Sequence, residues 1–80
     1  MDIRAGGTIS VGAASIAFTN NHNEDCTITS CTIAGWPTTP PVITKKTTQS
    51  VPLSTPATTG DYTYTPDCCG KRTNPVIKVQ

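Results

Sequence analysis

The chain has 80 residues, of which 35% are hydrophobic and 14% are charged, and its formal net charge at pH 7 is +1. A chain this short forms one domain and buries only about 60% of the surface that its unfolded form exposes. The near-neutral charge excludes the basic surface that nucleic acids and anionic membranes require, and no apolar run approaches the roughly 20 residues of a membrane span. The partners that we expect are other protein modules or copies of the same chain, with no nucleic acid and no membrane insertion.

The first predicted element is an N-terminal arm. Residues 1–18 lack the continuous apolar core of a signal peptide, so either the chain is cytosolic or Met1 opens a mature or excised segment. The composition, rich in threonine and poor in lysine, favours the second. Ile3 is the only large apolar side chain before the pair Gly6 and Gly7, which would uncouple it from the rest of the chain. We predict that residues 1–7 form a flexible arm and that residues 8–80 form the folded domain.

Residues 8–80 are predicted to be all β. No window has the 3.6-residue apolar period of a helix, and β-branched residues and prolines interrupt every stretch of helical length. About seven short runs at 8–12-residue spacing, separated by turns rich in Gly, Pro and Asn, predict a small antiparallel β-sandwich. The predicted strands cover residues 8–12, 14–20, 26–36, 41–44, 49–55, 61–65 and 75–80. Alternation of apolar and polar residues predicts a structural core that includes Ile16, Phe18, Tyr62 and Tyr64.

The only histidine, His22, lies in the segment NNHNEDC beside Glu24 and Asp25. Clustered oxygen ligands could bind calcium, but the spacing of an EF-hand is missing, and we favour an Asn-rich turn. No G-x-S-x-G motif supports a catalytic serine, and no glycine-rich phosphate motif is present. We predict a protein that is not an enzyme and has no cofactor and no metal.

Four cysteines are a large number for so small a domain. Zinc knuckles use C-x₂₋₄-C pairs and converge on one ion, yet Cys68 and Cys69 have no spacer between them. A thioredoxin-like redox site needs C-x-x-C at the start of a helix, and this chain has neither. Because a core of this size supplies only on the order of 3–5 kcal/mol, two structural disulfides are the favoured interpretation.

The pairing follows from strand parity. Adjacent cysteines cannot easily bridge each other, so Cys68 and Cys69 should each reach back to Cys26 or Cys31. Cys68 shares the parity of Tyr64, and Cys31 shares that of the apolar Ile33. We therefore favour Cys31–Cys68 with Cys26–Cys69, and the reverse pairing, Cys26–Cys68 with Cys31–Cys69, stays open.

Several segments resemble immunoglobulin-like domains. GDYTYT (60–65) is similar to the F strand, in which the first Tyr forms a corner, and NPVIKVQ (74–80) is similar to the G strand. TSCTIAGW followed downstream by DYTYTPDC resembles the cysteine-containing bacterial immunoglobulin-like domains of secreted and surface proteins. The matching positions are Ser30, Cys31, Thr32, Trp36, Tyr62, Tyr64 and Cys68. The resemblance implies a sandwich in which Trp36 covers a disulfide, although an exposed contact role for Trp36 stays open.

Two features depart from the family pattern. Cys26 and Cys69 form an additional pair, and Pro66 is expected to interrupt the strand before the cysteines.

Two functions fit these observations. The chain is rich in threonine and poor in lysine, as extracellular β-modules often are, so we expect an extracellular or cell-surface location. The first function is a non-enzymatic structural module, a spacer or adhesion element. The alternative is a self-assembling subunit of a filament, pilus-like appendage or sheath, in which Ile3, Gly6 and Gly7 form an assembly arm that adds a strand to a neighbour. The oligomeric state separates the two.

Overall fold

A computed structural model of the chain describes all residues, 1–80, and confirms the all-β prediction. Half of the residues lie in strands, and the structure contains no helix that could cross a membrane. The eight strands are β1 (Gly7–Ile9), β2 (Ser15–Asn20), β3 (Cys26–Cys31), β4 (Val42–Ile43), β5 (Thr47–Pro52), β6 (Gly60–Cys68), β7 (Lys71–Arg72) and β8 (Val76–Val79).

The strands form two hydrogen-bonded sheets. The larger has the order β1-β8-β6-β3-β4, with β7 paired to the end of β6, and the smaller consists of β2 and β5. All pairs are antiparallel except β1 with β8, which are parallel. The expectation of about seven antiparallel strands is corrected to eight strands in a mixed arrangement. The additional strand, β7, has only two exposed charged residues and therefore no apolar pattern that could predict it.

The central strand β6 continues through Pro66, so the predicted interruption there is wrong. Backbone N–H groups in a strand point to alternate sides, and Tyr64 donates its N–H to the carbonyl oxygen of Pro75. Pro66 is two residues further along, so its missing N–H would point to the same side of β6 as that of Tyr64. On that side, the pairing with β8 ends at Thr63 and the pairing with β7 begins at Asp67, and Pro66 lies in the gap between them. No ladder hydrogen bond is lost there, which is the condition for proline within a sheet.

A bulge in β3 changes which residues face the core. Ile28 lies opposite Pro66 and Ser30 lies opposite Thr65, so Thr29 is an extra residue with no partner position of its own. Its hydroxyl donates to the carbonyl oxygen of Thr65 at 3.0 Å. Since a bulge inverts the alternation, both Ile28 before it and Ile33 after it are buried despite their opposite parity.

The core is formed by residues of both sheets and includes Phe18 of β2. Its ring meets Tyr64 of β6 at a centroid distance of 5.2 Å and Trp36 at 6.0 Å, both edge to face. Ile16, Phe18 and Tyr64 are fully buried, whereas Trp36 and Tyr62 are partly exposed and pack against the margin of the core. Aromatic contacts of this geometry stabilise a core beyond the area that they bury.

The N-terminal residues pack onto the domain, and the predicted flexible arm is wrong. The backbone of residues 1–3 runs parallel to β2, with hydrogen bonds from Ile3 N to Thr19 O (3.0 Å) and from Thr19 N to Met1 O (2.7 Å). Ile3 has no exposed surface, and Tyr64 donates its hydroxyl to the carbonyl oxygen of Asp2. Apolar burial of Ile3 outweighs the freedom that the two glycines would allow.

Gly6 lets the chain cross from the edge of the small sheet to that of the large one. Its φ is +75°, in the left-handed region, and a Cβ there would collide with the backbone oxygen of Val76. The chain then enters β1 and pairs with β8. Gly6 therefore serves a close backbone crossing and not a hinge.

We expect Gly6→Ala to destabilise the fold by several kcal/mol, because alanine adds this collision to the left-handed backbone cost of about 1–2 kcal/mol. The control is Gly12→Ala, since Gly12 has φ +85° and no atom within 4 Å of a Cβ. Urea unfolding should show a much larger loss for Gly6→Ala than for Gly12→Ala. Equal losses would mean that the crossing is not tight.

Candidate functional site

Cys26 and Cys68 are joined by a buried disulfide at one end of the large sheet. Cys26 begins β3 and Cys68 ends β6, and the two lie directly opposite each other with Cα atoms 4.5 Å apart. This separation is typical of a non-hydrogen-bonded antiparallel pair, which brings side chains close. Both residues are almost fully buried, at 0% and 1% exposure.

The favoured pairing of Cys31 with Cys68 and of Cys26 with Cys69 is therefore corrected. The parity argument placed Cys31 inward, and it does pack against the core, but the bulge at Thr29 turns Cys26 inward as well. Register then decides, since Cys26 faces Cys68 whereas Cys31 faces Tyr64. Cys31 lies beside Tyr64, which is four residues of extended strand, or about 13 Å, away from Cys68. While Cys26 is bonded to Cys68, Cys31 is therefore too far away to form a second bridge to Cys69.

Two thiols remain free, and their surroundings differ. Cys31 is half-buried, and burial raises its pKa, against weaker opposing hydrogen bonds from the backbone of Ile33 and Thr32. Cys69 is exposed in the turn after β6, with φ +54°. Since the thiolate is the reactive form, Cys69 is the more accessible nucleophile of the two.

We expect thiol titration of the unfolded, unreduced protein to find two thiols per chain. In the folded protein, Cys69 should react with a disulfide reagent promptly and Cys31 slowly, with the rate at Cys31 still rising with pH above the ordinary thiol range because its raised pKa delays ionisation. The variants Cys69→Ser and Cys31→Ser should each remove one phase. The absence of free thiols would require a different pairing.

The loop between β2 and β3 folds around the buried side chain of Asn20. Its amide nitrogen donates to the carbonyl oxygens of Glu24 (3.0 Å) and Ile43 (2.9 Å), and its amide oxygen accepts the backbone N–H of His22 (2.8 Å). Asn20 has no exposed surface. A buried amide with its partners satisfied fixes a local backbone path, so Asn20 is a positioning residue for His22.

This loop brings His22 against the disulfide. A ring nitrogen of His22 and the sulfur atoms of Cys26 and Cys68 all lie within 4.8 Å of one another. The imidazole makes no hydrogen bond within the chain, and the residue is partly exposed. We call His22, Cys26 and Cys68 the His–Cys cluster. The polar segment NNHNEDC placed His22 near Cys26, but nothing in the sequence indicates that Cys68 lies beside it.

Tyr62 makes two contacts with Thr58, four residues before it in the chain. Its hydroxyl donates to the carbonyl oxygen of Thr58 at 3.0 Å and lies 2.9 Å from the hydroxyl of the same residue. These contacts tie the start of β6 to the chain that enters it. The half-buried ring of Tyr62 therefore has a structural role at the surface of the domain.

Trp36 lines a shallow cleft of about 390 Å³ at the margin of the core. One side of its ring meets Phe18, and the cleft is completed by uncharged residues: Gly35, Pro37, Thr38, Pro52, Leu53 and Ser54.

No protein-family model, curated protein or solved structure matches the chain.

Proposed function

We propose that the chain is a non-enzymatic extracellular structural protein, an immunoglobulin-like β-sandwich that acts as a spacer or adhesion element of a secreted or surface protein. Its partners are other protein modules. The observation that carries the proposal is the buried disulfide between Cys26 and Cys68.

The strand arrangement supports the immunoglobulin-like assignment. β2 and β5 pair with each other as strands B and E do, while β3, β6 and β8 lie together in the order of strands C, F and G. The Tyr62 corner lies near the start of β6, the strand that corresponds to F. The disulfide departs from the antibody pattern, because it joins two strands of the same sheet and not the two sheets.

The disulfide supports an extracellular location. Stable structural disulfides belong to oxidising compartments, and a small domain with a limited core gains much of its stability from such a bond. Cys26 and Cys68 are too well buried for ready attack by external thiols. An exposed regulatory disulfide would offer at least one accessible sulfur.

The packing of the N-terminus weakens the alternative of a self-assembling filament subunit. Strand donation to a neighbour would require Ile3 to leave a site in which it is fully buried and its backbone is bonded to Thr19. The structural module needs no such rearrangement.

The proposal is tested by sedimentation velocity at several concentrations, combined with thiol trapping in glutathione buffers at a secretory potential of about −180 to −210 mV. We expect a monomer at all concentrations, with Cys26 and Cys68 still paired. Growth into open-ended polymers would support the filament subunit. Reduction of the bond at this potential would contradict an extracellular structural role.

A further inference from the structure

We propose that the His–Cys cluster becomes a binding site for a thiophilic divalent cation, of which Zn²⁺ is the type, when the Cys26–Cys68 disulfide is reduced. The cluster would then join the start of β3 to the end of β6 by a disulfide in an oxidising environment and by a bound metal ion in a reducing one. The proposal does not depend on the proposed function, since it concerns the reduced chain.

The geometry carries this inference. Three ligand atoms, one imidazole nitrogen and two sulfurs, already lie within 4.8 Å of one another. Tetrahedral zinc with bonds of about 2.3 Å to sulfur and 2.0–2.1 Å to nitrogen has ligand atoms roughly 3.5–3.8 Å apart. Thiols released from the disulfide separate by rotation of their side chains, and a shift of about 1 Å brings the imidazole within range.

The ligands come from three places that the fold holds together. Cys26 and Cys68 are opposite each other in paired strands, so folding of the reduced chain brings their two thiols together. His22 is held by the hydrogen bond from its backbone N–H to Asn20. Its ring makes no competing hydrogen bond and can offer a lone pair to a metal.

The charge balance suits a buried centre. A dithiol reductant such as dithiothreitol gives two electrons and two protons to the disulfide, producing two protein thiols and its own cyclic disulfide. Binding of the metal then releases the two thiol protons. Two thiolates neutralise the charge of a divalent cation, and the neutral imidazole adds none, so the metal centre carries no net charge. This matters because Cys26 and Cys68 are only 0% and 1% exposed, and an uncompensated buried charge is costly. Water completes the fourth position.

The test uses the full-length chain with Cys31→Ser and Cys69→Ser, which leaves only the two clustered cysteines. After reduction and anaerobic removal of the reductant, the protein is titrated with Co²⁺. We expect one Co²⁺ per chain, a thiolate-to-cobalt charge-transfer band, intense tetrahedral d–d bands, and displacement by Zn²⁺ with recovery of about two protons per metal. A weak octahedral spectrum without the charge-transfer band would overturn the proposal.

Two variants in the loop between β2 and β3 distinguish a metal site that includes His22 from metal binding by the two thiols alone. His22→Gln should weaken binding by more than about 100-fold, beyond the 10–100-fold that loss of an outer-shell partner costs. Asn23→Gln, at an exposed position in the same loop, should leave the affinity unchanged. Neither variant should alter the stability of the oxidised protein. Equal affinities of the parent and His22→Gln would overturn the proposal.

Reduction alone is expected to loosen the fold, and this adds a second readout. Zn²⁺ should restore the native near-ultraviolet circular dichroism of the reduced parent, but not that of reduced His22→Gln, because binding is coupled to folding. Metal that binds without restoring the fold would show that the thiols act as unstructured ligands, and would also overturn the proposal.

Discussion

Replacement of both Cys26 and Cys68 by alanine should lower the free energy of unfolding by about 4 kcal/mol. The bond joins residues 42 positions apart, and closing a loop of this length restricts the unfolded chain by about that amount. An 80-residue domain has a total stability of roughly 4–12 kcal/mol, so the variant should lose about a third of its stability or more. Urea unfolding, followed by the fluorescence of the single tryptophan, measures the change.

The matched control is the pair Cys31→Ser and Cys69→Ser, which removes the same number of sulfur atoms without touching the bridge. We expect Cys69→Ser to have almost no effect and Cys31→Ser to cost less than about 1 kcal/mol, since its site is only half-buried. A loss from the control pair as large as that from Cys26 and Cys68 would mean that a different bridge stabilises the chain.

Deletion of residues 1–7 should lower the free energy of unfolding by more than about 3 kcal/mol, because it removes a core isoleucine together with an edge segment. The deletion removes Ile3 from the core, the backbone hydrogen bonds to Thr19, and the strand start at Gly7. The single change Ile3→Ala should account for about 2–5 kcal/mol of this loss. Both are measured by urea unfolding of otherwise identical chains.

Val11→Ala is the control for this deletion. Val11 is also a β-branched apolar residue in the N-terminal part of the chain, but it is 57% exposed, so its replacement should change stability by less than about 0.5 kcal/mol. If deletion of residues 1–7 instead leaves the stability within a few tenths of a kcal/mol, the N-terminal residues form a free arm and strand donation becomes the better hypothesis.

Much of the candidate site was invisible in the sequence because it depends on strand register. The bulge at Thr29 has no marker among neighbouring residues, yet it decides that Cys26 faces inward and meets Cys68. A shift of one residue exchanges the two faces of a strand, so parity arguments fail across any bulge. His22 was missed as a member of a cluster for a related reason, since its neighbour Cys68 belongs to a strand far along the chain.

The role of the glycine pair also depended on what lies nearby. Two glycines in a row permit both a hinge and a tight crossing, and local conformational freedom cannot distinguish them. The backbone oxygen of Val76 beside Gly6 makes the position a crossing. The buried site for Ile3 likewise comes from residues of other strands.

The sequence by itself determined the class of the fold, the positions of most strands, and the burial of Ile16, Phe18 and Tyr64. These follow from local properties: alternation of apolar residues, β-branched side chains, and prolines and glycines that end each strand. Only the tertiary structure decided the pairing of the cysteines, the docking of residues 1–7, the parallel pairing of β1 with β8, and the approach of His22 to two sulfurs. Each of these depends on contacts between residues far apart in the chain, whose free energy is set by register and packing and leaves no trace in a local pattern.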